Sequence, residues 1–359
     1  MWRAFVCEAT GALAGRMLDM VPVESATWSK YLSAGAPEGS VTVILDGTHT
    51  AAQIDSLFQR HWSRIIVLEY NGRAVYGGYI AGDKYNLAKN KLTLAVTDLW
   101  GLLADRGAWD GMASPLAKWK LTQTLTLAGH AAAALIRARD TQPADPPPEI
   151  PVTIPGQGAG TVKRTWFGYH YQTVGEIWSL LMDEGLDIYL RPRWATTDYQ
   201  FDWLFLAAPD WDSGVTHEFS ATSDEPEITD LEQDRDGRRI TTSAYRVGEG
   251  SEQDMLIRSN RELGGVYPRR DRVTASKSVS DAAQLAAMAD TDLKVYARAT
   301  NQWQFKVPVS SGIDVGDLVR IHVHGDPVIP DGFHVRRVVA IEGDWSHFMT
   351  VKVQPTGGA

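Results

Sequence analysis

Three histidines near the end of the chain come nearest, by type and spacing, to a metal site. His322 and His324 lie two positions apart in a predicted strand, so their side chains share one face, and His334 lies in the next predicted strand. Three imidazoles could bind zinc, with Asp326 as a fourth ligand. The apolar residues that alternate with the histidines indicate instead that the imidazoles occupy the solvent face. Because spacing alone does not set tetrahedral geometry, the sequence assigns no metal ligand.

A strongly acidic stretch, residues 223–236, could supply calcium ligands or a pair of catalytic carboxylates. Glu232, Asp234 and Asp236 match the opening of a calcium-binding EF-hand loop, but Ser243 stands where the loop needs its closing bidentate glutamate. A glycosidase pair needs a fixed separation of the two carboxylates, which a sequence does not show. The default interpretation is a solvated acidic face.

Motifs for nucleophilic catalysis and phosphate binding are absent from the sequence. It contains no Gly-x-Ser-x-Gly elbow and no Gly-x-x-x-x-Gly-Lys loop, and His217 lacks the second histidine of a zinc-protease helix. The single cysteine, Cys7, lies in an apolar first strand, where we expect a buried and inert thiol. We therefore predict that the protein is not an enzyme and has no catalytic, cofactor-binding or metal-binding residues and no cofactor.

Composition indicates a folded chain of several domains. Of its 359 residues 44% are hydrophobic and 22% are charged, which excludes wholesale disorder. The net charge of −9 argues against binding nucleic acid through phosphates, because that needs clustered Lys and Arg. Glu8 interrupts the N-terminal apolar run, and the most apolar helical stretch, 128–136, is short. We therefore expect neither a cleaved signal peptide nor a membrane span.

Tryptophan is prominent, with 13 residues against 9 phenylalanines, spread from Trp2 to Trp345. Scattered large rings favour anchors of several cores and interfaces. The alternative is a carbohydrate-binding or glycosidase protein, in which two or three rings would converge on one groove beside an Asp/Glu pair. The scatter of the rings favours the anchoring role.

Two segments near the ends of the chain have the pattern of three-stranded antiparallel meanders. An Asn71-Gly72 turn joins the first two strands, and a polar loop at 82–90 precedes the third. The similar lengths suggest a duplicated small barrel in which residues 64–97 and 318–353 are equivalent. The predicted strands are 64–70, 73–80 and 91–97 in the first meander and 318–324, 332–342 and 348–353 in the second.

The residues between the meanders predict a central α+β module. Thr173 and Glu176 form a capping box for a helix that Gly185 ends, and the proline-rich segment 142–160 reads as an extended, exposed arm. The fold class is therefore mainly β, with two related small antiparallel β-barrels and an α+β insertion. The expected domains are a first barrel at 1–110, completed by strands from about 215–250, an inserted module at 111–214, and a second barrel at 251–359 with a helix at 281–297.

The order of these features resembles the tail-hub proteins, often called minor tail proteins, of long-tailed siphophages that infect actinobacteria. The resemblance covers most of the chain. The segments that carry it are 28–32, 62–67, 77–80, 92–94 and 98–100 near the start and 313–319 and 332–335 near the end.

The resemblance implies a structural hub of a phage tail tip, similar to the baseplate hubs of contractile phages. In that family two related β-barrels per subunit assemble as a homotrimer into a ring that joins the six-fold tail tube to the three-fold tip and lets DNA pass. The implied partners are a distal tail or tail tube protein, the tape-measure protein and other tip proteins, without sequence-specific nucleic-acid binding. The implied location is the virion, after synthesis in the host bacterial cytoplasm. Because only residues 354–359 follow the last predicted strand, we expect no appended peptidase, lysozyme or sugar-binding domain.

Overall fold

The computed structural model describes residues 1–33, 35, 38–109, 118–140, 150–156, 158–196, 198–262, 265–277 and 279–356. Strands dominate these residues, which confirms the predicted mainly β fold. The strands are β1 Trp2–Glu8, β2 Met17–Met20, β3 Val23–Tyr31, β4 Glu38–Ile44, β5 Arg64–Tyr70, β6 Arg73–Asn86, β7 Lys91–Thr97, β8 Lys120–Leu125, β9 Val152–Thr153, β10 Val162–Phe167, β11 Leu186–Thr196, β12 Gln200–Pro209, β13 Thr216–Ser220, β14 Thr229–Asp236, β15 Ser243–Val247, β16 Ile257–Arg261, β17 Asp271–Ala275, β18 Thr300–Pro308, β19 Leu318–Val323, β20 Gly332–Asp344 and β21 Phe348–Pro355. The α-helices are α1 Ala51–Ile54, α2 Leu99–Ala104, α3 Leu127–Asp140, α4 Val174–Asp183 and α5 Ala282–Tyr296.

Thirteen strands of the described residues form one large sheet. Its main path runs β14-β18-β21-β20-β3-β4-β7-β6-β5-β1-β2, and β19, with β13 beside it, branches from β20. The path has free ends at β14 and β2, so the prediction of two closed barrels is wrong for the part of the chain that the structure describes. The physical reason is that β20 continues onto β3 of the other half, and a half that shares its long strand in this way does not close on itself.

The large sheet contains the same strand order twice. We call β3-β4-β7-β6-β5-β1 the N-terminal unit and β14-β18-β21-β20-β19-β13 the C-terminal unit. The first four pairings are antiparallel in both units. The fifth differs, because β1 pairs with β5 antiparallel whereas β13 pairs with β19 parallel. The two predicted meanders are confirmed, and each is the centre of a larger repeated unit.

Strand β6 is longer than the sequence pattern predicts. Residues 82–86, expected in a polar loop, continue the strand because they pair with residues 91–95 of β7. The glycine pair in this strand serves close packing, since a Cβ on Gly77 would lie 2.2 Å from the ring of Phe201. The N-terminal unit thus has a long central strand whose last residues extend beyond its pairing with β5, as those of β20 extend beyond its pairing with β19 in the C-terminal unit.

Two hydrophobic cores lie on opposite faces of the N-terminal unit. Ile66 and Leu68 of β5 belong to the larger core, which the C-terminal unit shares, and Ile65 and Val67 belong to the second core. Burial on both faces explains the uninterrupted apolar run of this strand, since a strand with one solvated face would alternate. Helices α2, α3 and α4 with β11 and β12 cover the second core.

The central module follows its local sequence signals. Thr173 accepts from the backbone N–H of Glu176, whose side chain accepts from the N–H of Thr173, so the predicted capping box is confirmed. Gly185, with φ of +96°, follows this helix. The predicted proline-rich arm lies partly outside the described residues, but Val152 is buried and β9 pairs with β12, so this part of the segment is packed rather than exposed.

Strands from 215–250, expected to complete the first domain, lie elsewhere. β13 pairs with β19 and β14 pairs with β18, and both partners belong to the C-terminal unit. β15 forms a separate sheet with β16 and β17, on which α5 packs. Asp281 caps α5 by accepting from the backbone N–H groups of Ala283 and Gln284. No helix in the described part of the chain is long and apolar enough to span a membrane.

Candidate functional site

The structure separates the three histidines that could have formed a zinc site. His334 of β20 stands opposite Ile321 of β19, whereas His322 stands opposite Phe333. Residues directly opposite each other share a face of the sheet, and Ile321 is buried in the larger core. His334 therefore lies on the core side and His322 on the other face. His324 pairs with Asp331, with Nδ1 2.9 Å from Oδ2.

The acidic stretch has a regular local structure. Glu232, Asp234 and Asp236 lie on β14, which is extended and paired with β18, so these carboxylates do not converge as the ligands of a calcium loop do. Arg238 hydrogen-bonds Asp236 and holds the pKa of that partly exposed carboxyl at about 2. Within the described residues no group of three or more His, Cys, Asp or Glu could hold a metal ion.

Six of the thirteen tryptophans are buried in the cores, and five more pack against them partly buried. Trp178, Trp203 and Trp303 are among the largest fully buried side chains, and Trp100 packs edge-on against Trp178 with ring centroids 4.9 Å apart. This placement agrees with rings that anchor cores. Cys7 is fully buried, and burial raises the pKa of its thiol to about 12, so the thiolate that would act as a nucleophile does not form near neutral pH.

The best-defined polar site is the junction where the two units meet. Here the C-terminal part of β20 pairs antiparallel with β3, and we call these ten residues the internal junction. Backbone hydrogen bonds between these strands join the C-terminal unit to the N-terminal unit. The opposed residues are Ala340 with Tyr31, Ile341 with Lys30, Glu342 with Ser29, Gly343 with Trp28 and Asp344 with Thr27.

A buried ion pair secures the core side of the internal junction. Lys30 Nζ lies 2.6 Å from Asp314 Oδ1, and the side chain of Lys30 is only 7% exposed. Asp314 also accepts from the hydroxyl of Tyr189 at 2.8 Å, and Arg191 Nε lies 3.4 Å from its second oxygen. Burial opposes ionisation of Asp314, but Lys30 and Arg191 outweigh it and hold the pKa of the carboxyl below its ordinary value. The pair joins β3 to the loop before β19.

Size complementarity fixes the register of the internal junction. Trp28 is 2% exposed and packs over Gly343, where an added Cβ would lie 2.3 Å from its ring. The indole N–H of Trp28 donates to the backbone oxygen of Asp344 at 3.2 Å. A one-residue slip would bring a side chain under this ring. It would also move all the side chains of the slipped strand to the opposite face of the sheet.

A hydrogen-bonded cluster covers the outer side of the same junction. Glu342 accepts from the hydroxyl of Tyr31 at 2.9 Å and from Lys352 Nζ at 2.6 Å. These groups keep partial solvent contact, so their ion pair contributes less than the buried one. No motif in the sequence predicts the junction, because its residues come from positions about 300 apart. The local signal is limited to a small residue, Gly343, near the end of β20.

Comparison with solved structures identifies the fold as that of phage and prophage tail proteins. The 43 kDa tail protein of prophage MuSo2 from Shewanella oneidensis aligns over 99% of this chain and 98% of its own, with a TM-score of 0.61 at 11% identity. The tail protein from Neisseria meningitidis aligns over 99% and 97%, with a TM-score of 0.59 at 14% identity.

A secretion-system protein shares the fold as well. The Escherichia coli c3393 protein, a type VI secretion component with structural similarity to the bacteriophage T4 tail proteins gp27 and gp5, aligns over 94% of this chain and 74% of its own. The TM-score is 0.53 at 12% identity. No family model and no curated protein sequence matches the chain.

Proposed function

We propose that the protein is a structural hub of a phage tail tip and not an enzyme. Three copies form a ring that joins a six-fold tail tube to a three-fold tip and lets DNA pass. Its partners are a distal tail or tail tube protein, the tape-measure protein and other tip proteins, and its location is the virion.

The observation that carries this proposal is the repeated strand order of the two units. A chain with two similar units presents two similar surfaces, so three chains present six. A ring of this kind matches a six-fold partner on one side and a three-fold partner on the other. The likeness to tail proteins in solved structures supports the same role.

Net charge supports the passage of DNA. The chain carries −9 at neutral pH, and a lumen of like charge opposes adhesion of the phosphate backbone. We therefore expect the lumen-facing residues of the ring to be net acidic, and a net basic lumen in an imaged ring would contradict this part of the proposal.

The glycan-binding alternative has less support. It needs two or three tryptophans on one groove beside a carboxylate pair, whereas Trp178, Trp203 and Trp303 lie in cores. Trp2 and Trp345 do stack, with ring centroids 5.1 Å apart, but both pack against the larger core beside the buried Trp28. A binding assay against bacterial cell-wall saccharides separates the two functions, since a structural hub leaves them unbound and uncleaved.

The experiment that tests the hub role is a mass measurement by native mass spectrometry combined with electron microscopy of the purified chain. The expected result is a particle of three chains with a central channel. A chain that remains a monomer at tens of micromolar and in the presence of its tail tube partner would refute the proposal.

A further inference from the structure

We propose that neighbouring copies join by repeating the internal junction between chains: residues 82–86 of β6 in one copy pair antiparallel with residues 232–236 of β14 in the next. This inference rests on the proposed ring and names the strands and the register that build it. It follows from three features of the two units, namely the equivalence of their strands, the free edges that they leave, and the side chains that those edges carry.

Strand β6 is equivalent to β20 residue by residue. The last pair that each makes with the preceding strand is Tyr79 with Ile65 and Arg337 with Leu318. Each strand then has a one-residue bulge against the next strand, between Ile80 and Gly82 in β6 and between Val338 and Ala340 in β20.

The backbone around this bulge repeats as well. The carbonyl of Ile80 accepts from the N–H of Trp62, and the carbonyl of Val338 accepts from the N–H of Gly316, both from the loop before the neighbouring strand. Gly82 therefore occupies the position of Ala340, and residues 82–86 of β6 occupy the positions of 340–344.

Strand β14 is equivalent to β3 by the same reasoning. Val41 of β4 and Phe305 of β18 stand opposite equivalent residues of β7 and β21, Leu94 and Val351. Counting along β4 and β18 from these positions makes Ser40 equivalent to Gln304. Their partners across the sheet are Thr27 of β3 and Glu232 of β14, so residues 27–31 of β3 correspond to 232–236 of β14.

The two segments that would meet have one edge free in the single chain. Among the described residues, 82–86 pair only with β7 and β14 pairs only with β18. Lys84, Tyr85, Asp234 and Arg235 are exposed. The equivalent residues of the internal junction lie on β20 and β3, which pair with each other. The free edges of β6 and β14 therefore correspond to the two edges that already pair once within the chain. An unpaired edge of this kind readily accepts another strand.

Transposing the register of the internal junction brings opposite charges together twice. Asp83, which pairs with His61 Nε2 at 2.7 Å in the single chain, meets Arg235 of the neighbouring copy on the core side, where Ile341 meets Lys30 within the chain. Lys84 meets Asp234 on the outer side, with Asp236 diagonally beside it. Directly opposed residues of antiparallel strands have Cβ atoms about 4.5–5.5 Å apart, which suits ion pairs. The transposed pairs are Gly82 with Asp236, Asp83 with Arg235, Lys84 with Asp234, Tyr85 with Gln233 and Asn86 with Glu232.

The large residue of one such pair moves to the other strand, and glutamine replaces the tryptophan opposite it. Within the chain the pair is Gly343 with Trp28, in which the ring of β3 covers the glycine of β20. Between chains the pair is Tyr85 with Gln233, in which the ring belongs to β6. Tyr85 is 46% exposed in the single chain and would be covered by β14 of its neighbour.

The resulting contact is heterologous and closes a ring. Each unit uses its long central strand, β6 or β20, on one side and its edge strand, β14 or β3, on the other. The units therefore alternate around the ring, joined in turn by the internal junction and by its transposed copy. A heterologous contact whose rotation closes gives a ring, and three chains give the six units of the proposed hub.

Cysteine cross-linking in the full-length chain tests this register. In the internal junction the N–H of Leu32 donates to the carbonyl of Val339, which makes Ser29 and Glu342 a non-hydrogen-bonded pair, the closer kind. The equivalent pair between chains is Lys84 with Asp234. The variant Lys84→Cys/Asp234→Cys, oxidised under mild conditions, is expected to give covalent dimers and trimers on a non-reducing gel.

Two matched variants control this experiment. Ser29→Cys/Glu342→Cys should form its disulfide within one chain and leave the mass of the denatured chain unchanged. Lys84→Cys/Arg235→Cys shifts the register by one residue and places the two thiols on opposite faces, so it should not cross-link between chains. The wild-type chain, whose only thiol is the buried Cys7, gives the background.

A charge-reversal series gives a second readout by sedimentation. Asp83→Lys is expected to weaken association by about tenfold or more, because like charges then face each other, and adding Arg235→Glu is expected to restore it. If the chain forms a ring but the 84/234 pair cross-links no better than the 84/235 pair, the inference is wrong while the hub role stands. If the chain shows no association at all, both fail.

Discussion

Replacing Lys30 by Met tests how much the buried ion pair contributes to holding the two units together. The change keeps most of the side-chain volume but leaves Asp314 without its nearest cation, the Nζ at 2.6 Å. Breaking a buried pair by removing one partner costs about 3–5 kcal/mol in general. Arg191 and the hydroxyl of Tyr189 remain within reach of the carboxylate. We therefore expect the free energy of unfolding to fall by about 2–3 kcal/mol, below the full cost of an isolated buried charge.

The assay is urea unfolding followed by tryptophan fluorescence, with the slope checked for constancy so that a shifted midpoint reports stability. Lys352→Met is the matched control, because Lys352 pairs with Glu342 at the same 2.6 Å distance on the half-exposed side of the same junction. This variant should lose less than about 1 kcal/mol, since solvent screens an exposed pair.

The double variant Lys30→Met/Asp314→Asn completes the measurement. Removing both charges together should cost less than the sum of the two single changes, with a coupling energy of about 1–3 kcal/mol. Equal losses for Lys30→Met and Lys352→Met, or strict additivity in the double variant, would show that burial does not set the strength of this pair and would refute the reasoning.

Three further outcomes are expected. Gly343→Ala should destabilise the chain by about 1–3 kcal/mol, because its Cβ would lie 2.3 Å from the ring of Trp28, whereas Gly82→Ala, with nothing within 4 Å, should be nearly neutral in urea unfolding. Asp98 keeps some solvent contact, but burial raises its pKa to about 7 in the folded state, against about 3.9 in the unfolded chain. Its contribution to stability is therefore present below pH 4 and is lost as the pH rises to 7. Asp98→Asn, which keeps the cap of α2, should remove this pH dependence of the thermal unfolding midpoint. Cys7 should resist a thiol reagent in the native chain and react once the chain is unfolded in urea, and rapid labelling of the native chain would contradict its burial.

Several local elements could be predicted from the sequence because their causes are local. The capping box at Thr173 and Glu176 and the cap at Asp281 place helix starts, since the side chains that satisfy the first N–H groups are within three residues. The Asn71-Gly72 turn and the alternation after it place β5, β6 and β7. No local signal of this kind marks the histidines or the acidic residues as a site. The sheet register places His322 and His334 on opposite faces and keeps the acidic residues on the extended strand β14.

The polar end of β6 was missed for a physical reason. Its residues 82–86 have no apolar alternation, because one edge and much of their side-chain surface are free in the single chain. A strand end with one free edge can have the polar composition of a loop, so hydrophobic periodicity does not detect it.

The sequence by itself determined the mainly β class, the helix starts and the presence of two similar meanders, because these depend on neighbouring residues and on short-range alternation. Only the tertiary structure decided that the halves form one open sheet rather than two barrels, and that Lys30, Trp28 and Gly343 build the contact between them. Those decisions depend on which strands pair across about 300 positions, where shape and charge act between surfaces that no local pattern encodes.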